Sequence, residues 1–469
     1  MRTKIVATIG PATAERDKVH ALAELGVDVV RVNFAHGDPE AWARTIAFTR
    51  EASEAVGKPM AVLADLAGPK IRVGDLPAPI EMANQTLVTF APEAEAEGEE
   101  IPTTYAELAA DVRAGDRLLL DDGLLELKVE EVNGTRVRAR VLRGGELRAN
   151  KGLNLPGVRV SAPALTEKDL HDLDFALLHD VDYVSLSFVQ RPEDIARLRA
   201  RLPGHVLIVA KIEKDTALEH LEPILAETDA VMVARGDLGV ELPFEQVPLA
   251  QKRIIQLANH YGRPVITATQ MLESMMENAR PTRAEASDVA NALFDGTDAV
   301  MLSGETAAGK YPLLAVDAMV RIAAEIERSE AFEQGPRYDI PLPYLRLGAT
   351  PTEHAIAAAT VEAVRLLGAP AIISFTRSGS TTRLVSSYRP NVPILGVSDQ
   401  LRTWRQLALV WGVHPVRCPD EPTYEHMLEA ARAYLLEHRL ARRGQRVVVT
   451  AGVPFHVRGT TNMLRVEEL

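Results

Sequence analysis

Residues able to bind anions and metals stand directly after several apolar runs in the first two-thirds of the sequence. Each of them alone could be a solvated loop residue. If the runs are parallel strands, however, their carboxyl ends share one edge, where α/β enzymes place their active sites. We therefore expect a single site. Its candidate residues are Arg31, Asn33, His36, Asp65, Lys70, Arg72, Lys211, Glu213, Arg235, Asp237, Thr269 and Glu305.

Two of these carboxylates could hold a divalent cation. The run "AKIEK" alternates, so Lys211 and Glu213 point to the same side of one strand, and Asp237 follows the next strand in "ARGDLG". Few, hard oxygen ligands that leave room for substrate oxygens suit Mg²⁺ or Mn²⁺ rather than zinc. The alternative is a plain salt bridge between Lys211 and Glu213.

A metal beside Lys211, Arg31 and Arg72 would form a site for concentrated negative charge. Phosphoryl transfer needs such a site, because its catalysis is mostly positioning and charge neutralisation. An enolate beside a carboxylate would use the same metal as a Lewis acid. These residues predict metal-assisted chemistry on a phosphorylated or carboxylated small molecule, without naming it.

Eight short β-branched runs, alternating with helix-length amphipathic segments, must position these residues. In the first segment Val19, Leu22 and Leu25 share a face, and Gly26 is suited to end the helix. Eight strands in this pattern predict a parallel (β/α)8 TIM barrel. A doubly wound open sheet is the alternative, but no GxGxxG follows the first run. The runs span 4–10, 29–35, 59–66, 183–189, 206–213, 230–237, 264–270 and 299–305.

The alternation breaks between the third and fourth runs. Residues 73–160 hold alternating runs on either side of Asn133-Gly134, which is the strongest short hairpin signal. We predict an inserted all-β, β-barrel-like lid domain over residues 70–160, within a catalytic barrel of residues 1–69 and 161–332. An insertion without a function is the alternative.

A third unit follows a segment punctuated by Pro and Gly after about residue 330. Apolar runs at 371–376, 393–398 and 446–452 alternate with helical segments, which predicts another mostly parallel sheet. We assign residues 345–469 to this C-terminal α/β domain and expect it to be regulatory.

Composition excludes some classes of function. Among 469 residues, 52 basic and 65 acidic side chains give a net charge of −13, which argues against broad nucleic-acid binding. A single cysteine, Cys418, permits no intramolecular disulfide, and no stretch approaches the ~20 apolar residues of a membrane span. We expect a cytoplasmic protein with neither a nucleic-acid nor a membrane partner.

Nine motifs occur in order along the chain: "TKIVATIGPAT" (3–13), "VVRVNFAHGD" (29–38), "GPKIRVG" (68–74), "LLLDDGLL" (118–125), "LTEKDLHDL" (165–173), "AKIEK" (210–214), "VMVARGDLGVELPFEQVPLAQKRI" (231–254), "PVITATQMLESMMENARPTRAEASDVANAL" (264–293) and "DAVMLSGETAAGKYP" (298–312). In content and order they resemble the pyruvate kinase family over essentially the whole chain. The resemblance implies a Mg²⁺-dependent phosphotransferase of the last step of glycolysis. Its partners would be phosphoenolpyruvate, ADP, ATP and pyruvate.

The resemblance also implies roles in the phosphoryl transfer. Glu213 and Asp237 would bind the metal, and Lys211 would neutralise the phosphoryl group in flight. Arg31 and Arg72 would bind phosphate oxygens. The substrate's carboxylate and methylene end would lie against Thr269, itself a candidate for the proton relay to enolpyruvate, and against the backbone of Ala234, Arg235, Gly236 and Asp237.

The nucleotide side of the site is implied in the same way. Arg72 would contact the nucleotide as well as the substrate, and Lys168 would bind nucleotide phosphates. Asp122 would lie on the lid, whose closure would exclude water that competes with ADP. Asn33 and His36 would support the nucleotide.

The stretch "FTRSGSTTRLVSSYRP" resembles the family's effector-phosphate loop. It follows a predicted strand and leads into a helix start, where free N–H groups and hydroxyls favour phosphate. A simple turn and helix cap is the alternative. A sugar phosphate and a nucleotide monophosphate both fit, and the family implies an allosteric homotetramer. The loop residues are Thr376, Arg377, Ser378, Gly379, Ser380 and Thr381.

Two departures from the family pattern concern a monovalent cation. Many members hold K⁺ with a Ser where this sequence has Ala35, together with Asn33, Asp65 and the following residue, and they carry Glu in place of Lys70. Here one oxygen ligand is missing, and an ammonium group replaces an acid. We predict that Lys70, together with Asp65, substitutes for K⁺, as in the family's potassium-independent members, so that K⁺ is not required.

Two other functions remain open at this point. A catalytically silent effector-binding protein or scaffold could keep the fold, although every expected metal ligand and cation is present. Another Mg²⁺–enolate barrel enzyme, such as a lyase, would need neither the lid nor Lys168. Glu305 is expected to brace the eighth strand rather than to enter the site.

Overall fold

Eight parallel strands close into a barrel, which confirms the predicted (β/α)8 fold. The computed structural model describes residues 1–333, 351–419, 423–453 and 461–469. In their order around the barrel, with the last strand pairing with the first, the strands are β1 (Lys4–Ile9), β2 (Val29–Asn33), β3 (Ala61–Asp65), β12 (Tyr183–Leu186), β13 (Leu207–Ile212), β14 (Ala230–Ala234), β15 (Val265–Ala268) and β16 (Ala299–Leu302).

Helices cover the outside of the barrel, and their apolar faces pack on its strands. The first ends as predicted, because Gly26 adopts a left-handed φ of 110° and caps it. Two 3₁₀ turns, Phe244–Gln246 and Glu273–Met276, accompany them. The helices are α1 (Arg16–Leu25), α2 (Pro39–Val56), α4 (Glu167–Leu178), α5 (Pro192–Arg199), α6 (Asp215–Glu219), α7 (Leu221–Glu227), α8 (Arg235–Glu241), α9 (Val247–His260), α10 (Arg283–Phe294), α11 (Gly304–Ala307), α12 (Pro312–Glu327) and α13 (Glu330–Glu333).

The interior of the barrel changes from apolar to charged along the strands. Val29, Leu63 and Tyr183 belong to one buried apolar cluster inside the barrel. Successive side chains of a strand alternate between its two faces, so the next inward residues are two positions further along. Those residues are Arg31, Asp65 and Ser185. The two-residue period thus places a charged layer above an apolar one, at the carboxyl ends of the strands.

The segment between β3 and β12 forms the predicted β-rich insertion. It consists of a six-stranded sheet and a two-stranded ribbon. The chain at Arg72 and Val73 bridges to both edges of the six-stranded sheet, to Gly152 beside β11 and to Thr103 in β6. The Asn133-Gly134 hairpin joins two of its strands, with Gly134 at a φ of 60°. Its elements are β4 (Ile80–Met82), β5 (Leu87–Pro92), β6 (Ile101–Thr103), α3 (Leu108–Asp111), β7 (Arg117–Leu120), β8 (Leu125–Asn133), β9 (Arg136–Arg143), β10 (Gly145–Leu147) and β11 (Leu153–Asn154).

The C-terminal unit is a five-stranded sheet with helices on its faces. Four of its strands run parallel, in agreement with the prediction, and the last strand is antiparallel. The predicted start of this domain, residue 345, lies outside the described residues, and the other predicted domain boundaries stay predictions. The elements are α14 (Thr352–Leu367), β17 (Ile372–Phe375), α15 (Ser380–Ser387), β18 (Ile394–Ser398), α16 (Leu401–Gln406), the 3₁₀ turn Leu407–Leu409, β19 (Val413–Arg417), α17 (Tyr424–Glu437), β20 (Arg446–Gly452) and β21 (Thr461–Glu468).

This unit closes the amino-terminal end of the barrel. Ala408 and Leu409 join the apolar cluster inside the barrel. Arg405 on α16 forms a buried ion pair with Asp182, with Nε 2.7 Å from Oδ1. The barrel site therefore lies at the opposite end from the C-terminal domain. In the described part of the chain, no helix has the length and hydropathy needed to cross a membrane.

Candidate active site

Arg31 and Asp65 form a buried ion pair at the carboxyl ends of neighbouring strands. The Nε and Nη2 groups of Arg31 donate to Oδ2 of Asp65 at 2.8 and 2.5 Å, and its Nη1 donates to Thr8 Oγ1 at 3.0 Å. Arg31 is 9% exposed and Asp65 only 1%. The guanidinium plane is therefore held by three hydrogen bonds rather than left free to rotate.

Lys211 is the second cation that Asp65 neutralises. Its Nζ lies 2.8 Å from Glu213 Oε1 and 3.6 Å from Asp65 Oδ1. Burial alone would lower the pKa of Lys211, but Asp65 and Glu213 more than compensate and raise it. Burial would likewise raise the pKa of Asp65, but Lys211 and Arg31 bring it below its ordinary value. Lys211 and Asp65 are therefore charged at neutral pH.

Glu213 and Asp237 form the predicted carboxylate pair. Glu213 is 1% exposed, and its Oε2 accepts a hydrogen bond from the Phe188 N–H at 2.7 Å. Burial raises the pKa of Glu213, and the nearby charge of Asp237 adds to this, although Lys211 acts in the opposite direction. A bound cation would relieve the electrostatic repulsion between these two carboxylates.

The donor set around this pair fits Mg²⁺ or Mn²⁺. Both side chains offer hard oxygen atoms, and neither histidine nor cysteine takes part. In the residues that the structure describes, no group of three or more His, Cys, Asp or Glu side chains could hold a metal alone. A metal held by Glu213 and Asp237 would thus need further ligands from substrate and water.

Thr269 lies beside the start of helix α8. It has a φ of 64°, and its Oγ1 accepts the Gly236 N–H at 2.8 Å while donating to Ala268 O at 2.7 Å. A left-handed Thr is unusual, and such strain clusters at functional sites. A Cβ at Gly236 would lie 3.5 Å from Thr269 Oγ1, so the backbone here stands in direct contact with this side chain.

The Arg235 side chain is fully engaged within the protein. Its Nη1 pairs with Asp288, with 2.7 Å to Oδ2, and its Nη2 donates to Thr269 O at 2.7 Å. The sequence resemblance predicted that Arg235 contacts the substrate through its backbone. Its guanidinium stabilises the loop that carries Thr269. The guanidinium of Arg235 is thus occupied by partners within the protein.

The lid and the rim of the barrel enclose a cavity. Lys70, Asp122 and Asp237 line it together with Phe188 and Asn154. Lys70 is exposed. Within the described residues, no hydrogen bond or ion pair joins Lys70 to Asp65, whose two oxygens face Arg31, Lys211 and Ser185. Lys70 therefore faces this cavity rather than the buried Asp65.

Arg72 lies at the base of the lid, where its backbone bridges to Gly152. Its N–H donates to Thr104 Oγ1 at 3.0 Å. Across the part of the chain that the structure describes, its guanidinium takes part in no ion pair with a carboxylate. Unlike Arg31, Arg72 thus keeps its charge available.

Lys168, Asn33 and His36 lie close together on the other side of the rim. Lys168 Nζ donates to Phe34 O at 2.8 Å, pairs with Asp172 and lies 5.5 Å from the centroid of the Trp42 ring. Asn33 Oδ1 accepts the Ala35 N–H at 3.1 Å. His36 is exposed. Three of the five predicted nucleotide residues therefore come together, with Lys168 partly neutralised by Asp172, whereas Arg72 and Asp122 lie on the insertion.

Residues 376–381 connect β17 to α15 as predicted. Gly379 has a φ of 80° and stands at the N-cap. Thr376 and Thr381 are buried, whereas Arg377 and Ser380 are exposed. Ser378 Oγ and Ser380 Oγ lie 3.2 Å apart. Hydroxyl groups thus cluster at the start of an eight-residue helix.

Glu305 braces the loops at the end of β15 and β16. Its two carboxylate oxygens accept the N–H groups of Leu272 at 3.0 Å and Ser303 at 2.7 Å. At 2% exposure it has no access to the cavity. This agrees with the structural role expected from the sequence.

Sequence reasoning missed three hydroxyl groups and one carboxylate. Thr8 supports Arg31, while Ser185 and Ser187 donate to Asp65 and Leu66 O. Glu241 accepts from Asn154 of the insertion at 3.1 Å and pairs with Lys214. The signal for the serines was present in "YVSLSFV", where every second residue would point into the barrel.

Comparisons with known proteins agree with this fold. The family described as "Pyruvate kinase, barrel domain" matches residues 1–316, and "Pyruvate kinase, alpha/beta domain" matches residues 354–467. The pyruvate kinase of Geobacillus stearothermophilus is 44% identical over 473 residues, covering 99% of this chain and 80% of its own. The pyruvate kinase of Mycobacterium tuberculosis (strain CDC 1551 / Oshkosh) is also 44% identical, covering 100% and 98%.

A solved structure is similar over the same length. The crystal structure of a pyruvate kinase from Cryptosporidium parvum superposes with a TM-score of 0.91 at 35% identity, covering 100% of this chain and 96% of that one. The family matches span both the barrel and the C-terminal unit, and the relatives align with nearly every residue. This chain belongs to the pyruvate kinase family.

Proposed function

We propose that this protein transfers the phosphoryl group of phosphoenolpyruvate to ADP and releases pyruvate and ATP, the last step of glycolysis. The observation that carries the proposal is the charged layer inside the barrel. There, Asp65 holds Arg31 and Lys211 within reach of the Glu213–Asp237 pair. Phosphoryl transfer needs this combination of positioned cations and metal-binding oxygens.

Different residues serve different steps of the phosphoryl transfer. Arg31, fixed by three hydrogen bonds, and Arg72, which keeps its charge available, bind phosphate oxygens. A terminal oxygen of ADP attacks phosphorus, and the bond from phosphorus to the enol oxygen breaks. Lys211 stabilises the negative charge on the phosphoryl group as it passes between the two.

Glu213 and Asp237 would hold Mg²⁺ or Mn²⁺. Such an ion supplies Lewis acidity toward the carboxylate and enol oxygen of the substrate. Thr269 and the backbone of 234–237 position the carboxylate and methylene end. The hydroxyl of Thr269, already hydrogen-bonded to Gly236, belongs to the relay that delivers a proton to the methylene carbon.

The nucleotide binds between barrel and lid. Lys168, Asn33 and His36 contact it from the barrel, while Arg72 and Asp122 contact it from the lid side. The division of the chain into a barrel (1–69 and 161–332) and a lid (70–160) is part of this proposal. Closure of the lid excludes water that would otherwise accept the phosphoryl group.

We assign the monovalent-cation role to Lys70. The proposal is supported by Ala35, which lacks the hydroxyl of the usual ligand, and by the exposure of Lys70 on the substrate cavity. Its ammonium supplies the positive charge that K⁺ would bring. We expect no more than about twofold activation by KCl over a salt of an inert cation at equal ionic strength. A large activation would contradict the assignment.

A charge reversal tests the same assignment directly. Lys70→Glu together with Ala35→Ser supplies both oxygen groups and should create a K⁺ requirement in an enzyme that had none. Ala35→Ser alone serves as the control and should leave the cation response unchanged. A double variant that is equally active with and without K⁺ would show that Lys70 does not replace the ion.

Regulation and assembly complete the proposal. The loop of residues 376–381 offers hydroxyls and a helix start of eight residues to a phosphorylated effector. Phe244 and Leu249 are 84% and 68% exposed and are available for a contact between subunits. We expect a homotetramer, to be checked by sedimentation, located in the cytoplasm, in line with the single cysteine.

A coupled assay with phosphoenolpyruvate, ADP and Mg²⁺ tests the activity. Pyruvate formation that depends on ADP supports the proposal; turnover without ADP would indicate an enolate lyase, and no turnover a silent scaffold. Glu213→Gln keeps the shape of the side chain and should reduce turnover by at least about a thousandfold, as expected when metal-borne charge stabilisation of several kcal/mol is lost. A folded Glu213→Gln enzyme with near wild-type turnover would remove the metal assignment.

A further inference from the structure

Strand β12 presents a column of inward side chains that ends in two buried serines. Tyr183, at the amino-terminal end, belongs to the apolar barrel cluster, and Ser185 and Ser187 follow at intervals of two. Ser185 is 0% and Ser187 2% exposed. A hydroxyl costs free energy when it is buried without a hydrogen-bond partner, so the partners of these two serines are the informative feature.

We infer that Ser185 and Ser187 are positioning residues of the phosphoryl transfer, acting on substrate through Asp65 and Lys211. This inference rests on the proposed function. Neither serine lines the cavity between barrel and lid: Ser185 hydrogen-bonds to Asp65, and Ser187 to Lys211 itself and to Leu66 O.

Ser185 fixes the orientation of the Asp65 carboxylate. In register, Ser185 lies directly beside Asp65 on the neighbouring strand. Its hydroxyl donates to Oδ1, while Oδ2 receives both N–H groups of Arg31. The terminal torsion of an Asp is soft, so a carboxylate held on one oxygen alone can rotate. The hydroxyl on Oδ1 keeps Oδ2 turned toward Arg31.

Ser187 directs the ammonium group of Lys211. Its Oγ accepts from Lys211 Nζ at 2.8 Å and donates to Leu66 O at 2.7 Å, which satisfies the hydroxyl and fixes its direction. An ammonium has three donors. One points to Glu213 Oε1 at 2.8 Å and one to Ser187. Asp65 Oδ1, at 3.6 Å, is too distant for a hydrogen bond, so we assign the third donor to a phosphoryl oxygen.

The two serines therefore act on different cations, one at substrate binding and the other in the transition state. Ser185 acts through Asp65 on Arg31, which binds phosphate in the ground state as well as in the transition state. Ser187 acts on Lys211, whose interaction grows as charge develops on the phosphoryl group. Interactions made only in the transition state change kcat, whereas uniform ones change KM.

Alanine variants of the full-length protein test this division. Ser185→Ala should raise KM for phosphoenolpyruvate about tenfold, and Ser187→Ala should lower kcat about tenfold, as expected for one hydrogen bond to a charged group. KM for ADP should change less than threefold in both. Because Asp65 and Lys211 lie in contact, the two serines belong to one network, and the loss of the double variant in kcat/KM should differ from the roughly hundredfold product of the single losses.

Ser53→Ala is the matched control. Ser53 is also buried, and its hydroxyl donates to Lys58 O at 2.6 Å, on helix α2 away from the site. It should lose stability with kcat and KM within twofold of wild type. If either β12 alanine variant fails to fold, the nearly isosteric Cys variant, whose thiol is a weak donor, must show the same loss in the same parameter.

The outcomes separate the inference from the proposed function. An inactive wild-type protein would overturn both. An active wild type with Ser185 and Ser187 variants within twofold of it, or with losses that Ser53→Ala reproduces, would overturn the positioning role alone. Losses that fall on KM for Ser185 and on kcat for Ser187 support it.

Discussion

Replacing Asp65 by Asn removes one charge from the centre of the barrel and changes almost no volume. The carboxylate serves two cations, with Oδ2 toward Arg31 and Oδ1 toward Ser185 and Lys211. Asn offers a single oxygen. If that oxygen faces Arg31, the amide NH₂ points at the donors of Ser185 and Lys211, and if it is flipped, the NH₂ points at Arg31. In either orientation one cation faces another donor.

The size of the effect follows from these contacts. At 3.6 Å, the Asp65–Lys211 interaction amounts to about 4–5 kcal/mol at an effective dielectric constant of 20. This agrees with the about 3–5 kcal/mol measured when one partner of a buried pair is removed. For a barrel of this size we expect the melting temperature to fall by about 6–20 °C. Loss of one charge-assisted hydrogen bond should lower kcat/KM about 10- to 150-fold.

The assay combines coupled kinetics with thermal unfolding, and Asp298→Asn provides the control. Asp298 is also buried and accepts two hydrogen bonds from Arg389, at 3.0 and 2.9 Å, but it lies at the opposite end of the barrel. It should melt earlier with kcat/KM within twofold of wild type. If Asp65→Asn keeps kcat/KM within threefold for phosphoenolpyruvate, Asp65 does not hold the cations in their working positions, and the reasoning is wrong.

Two further predictions concern the end of the barrel opposite the site. Arg405→Gln breaks the buried pair with Asp182 and should split thermal unfolding in calorimetry into separate transitions of the C-terminal domain and the barrel. Arg402→Gln, whose partner Asp180 is half exposed, is the control and should leave one coincident transition. Coincident melting in both variants would refute an interface held by Arg405. Burial lowers the pKa of His414 to about 4, so the unfolded chain binds its proton first and stability is lost as pH falls from about 6.5 to 4, by at most about 3 kcal/mol. His414→Gln should make the melting temperature less dependent on pH in this window, and an unchanged slope would show that other groups govern the pH dependence. The charged groups that act on His414 are Lys4, the amino terminus, His438 and Asp28.

The sequence predicted the barrel because its evidence is local and repeated. Each strand is a short β-branched run, each helix carries an apolar face, and Gly26 ends the first helix at the expected residue. The shape of the insertion was not predictable in the same way. Alternating strands and an Asn-Gly turn specify hairpins, but whether six strands close into a barrel depends on tilt and register between strands distant in sequence.

The site was predictable to the extent that its members follow strand ends. Lys211 and Glu213 share a strand face by their spacing alone, and the structure places them 2.8 Å apart. The pairing of Asp65 with Arg31 was not predictable, since it depends on which strands are neighbours. Glu241 was missed because its partner Asn154 lies 87 residues away, in another domain.

Lys70 shows that closeness along the sequence does not guarantee contact in the fold. Lys70 was predicted to take the place of K⁺ together with Asp65, which stays a prediction; Gly68 turns the chain between them at a φ of 67°, and Lys70 lines the cavity. Asp65 instead neutralises Arg31 and Lys211, its neighbours around the barrel. If Lys70 replaces K⁺, it does so from the substrate side, by adding charge where the phosphates gather. The buried cations Arg31 and Lys211 are then oriented by Asp65 and the serines, whereas the exposed Lys70 raises the electrostatic potential of the cavity.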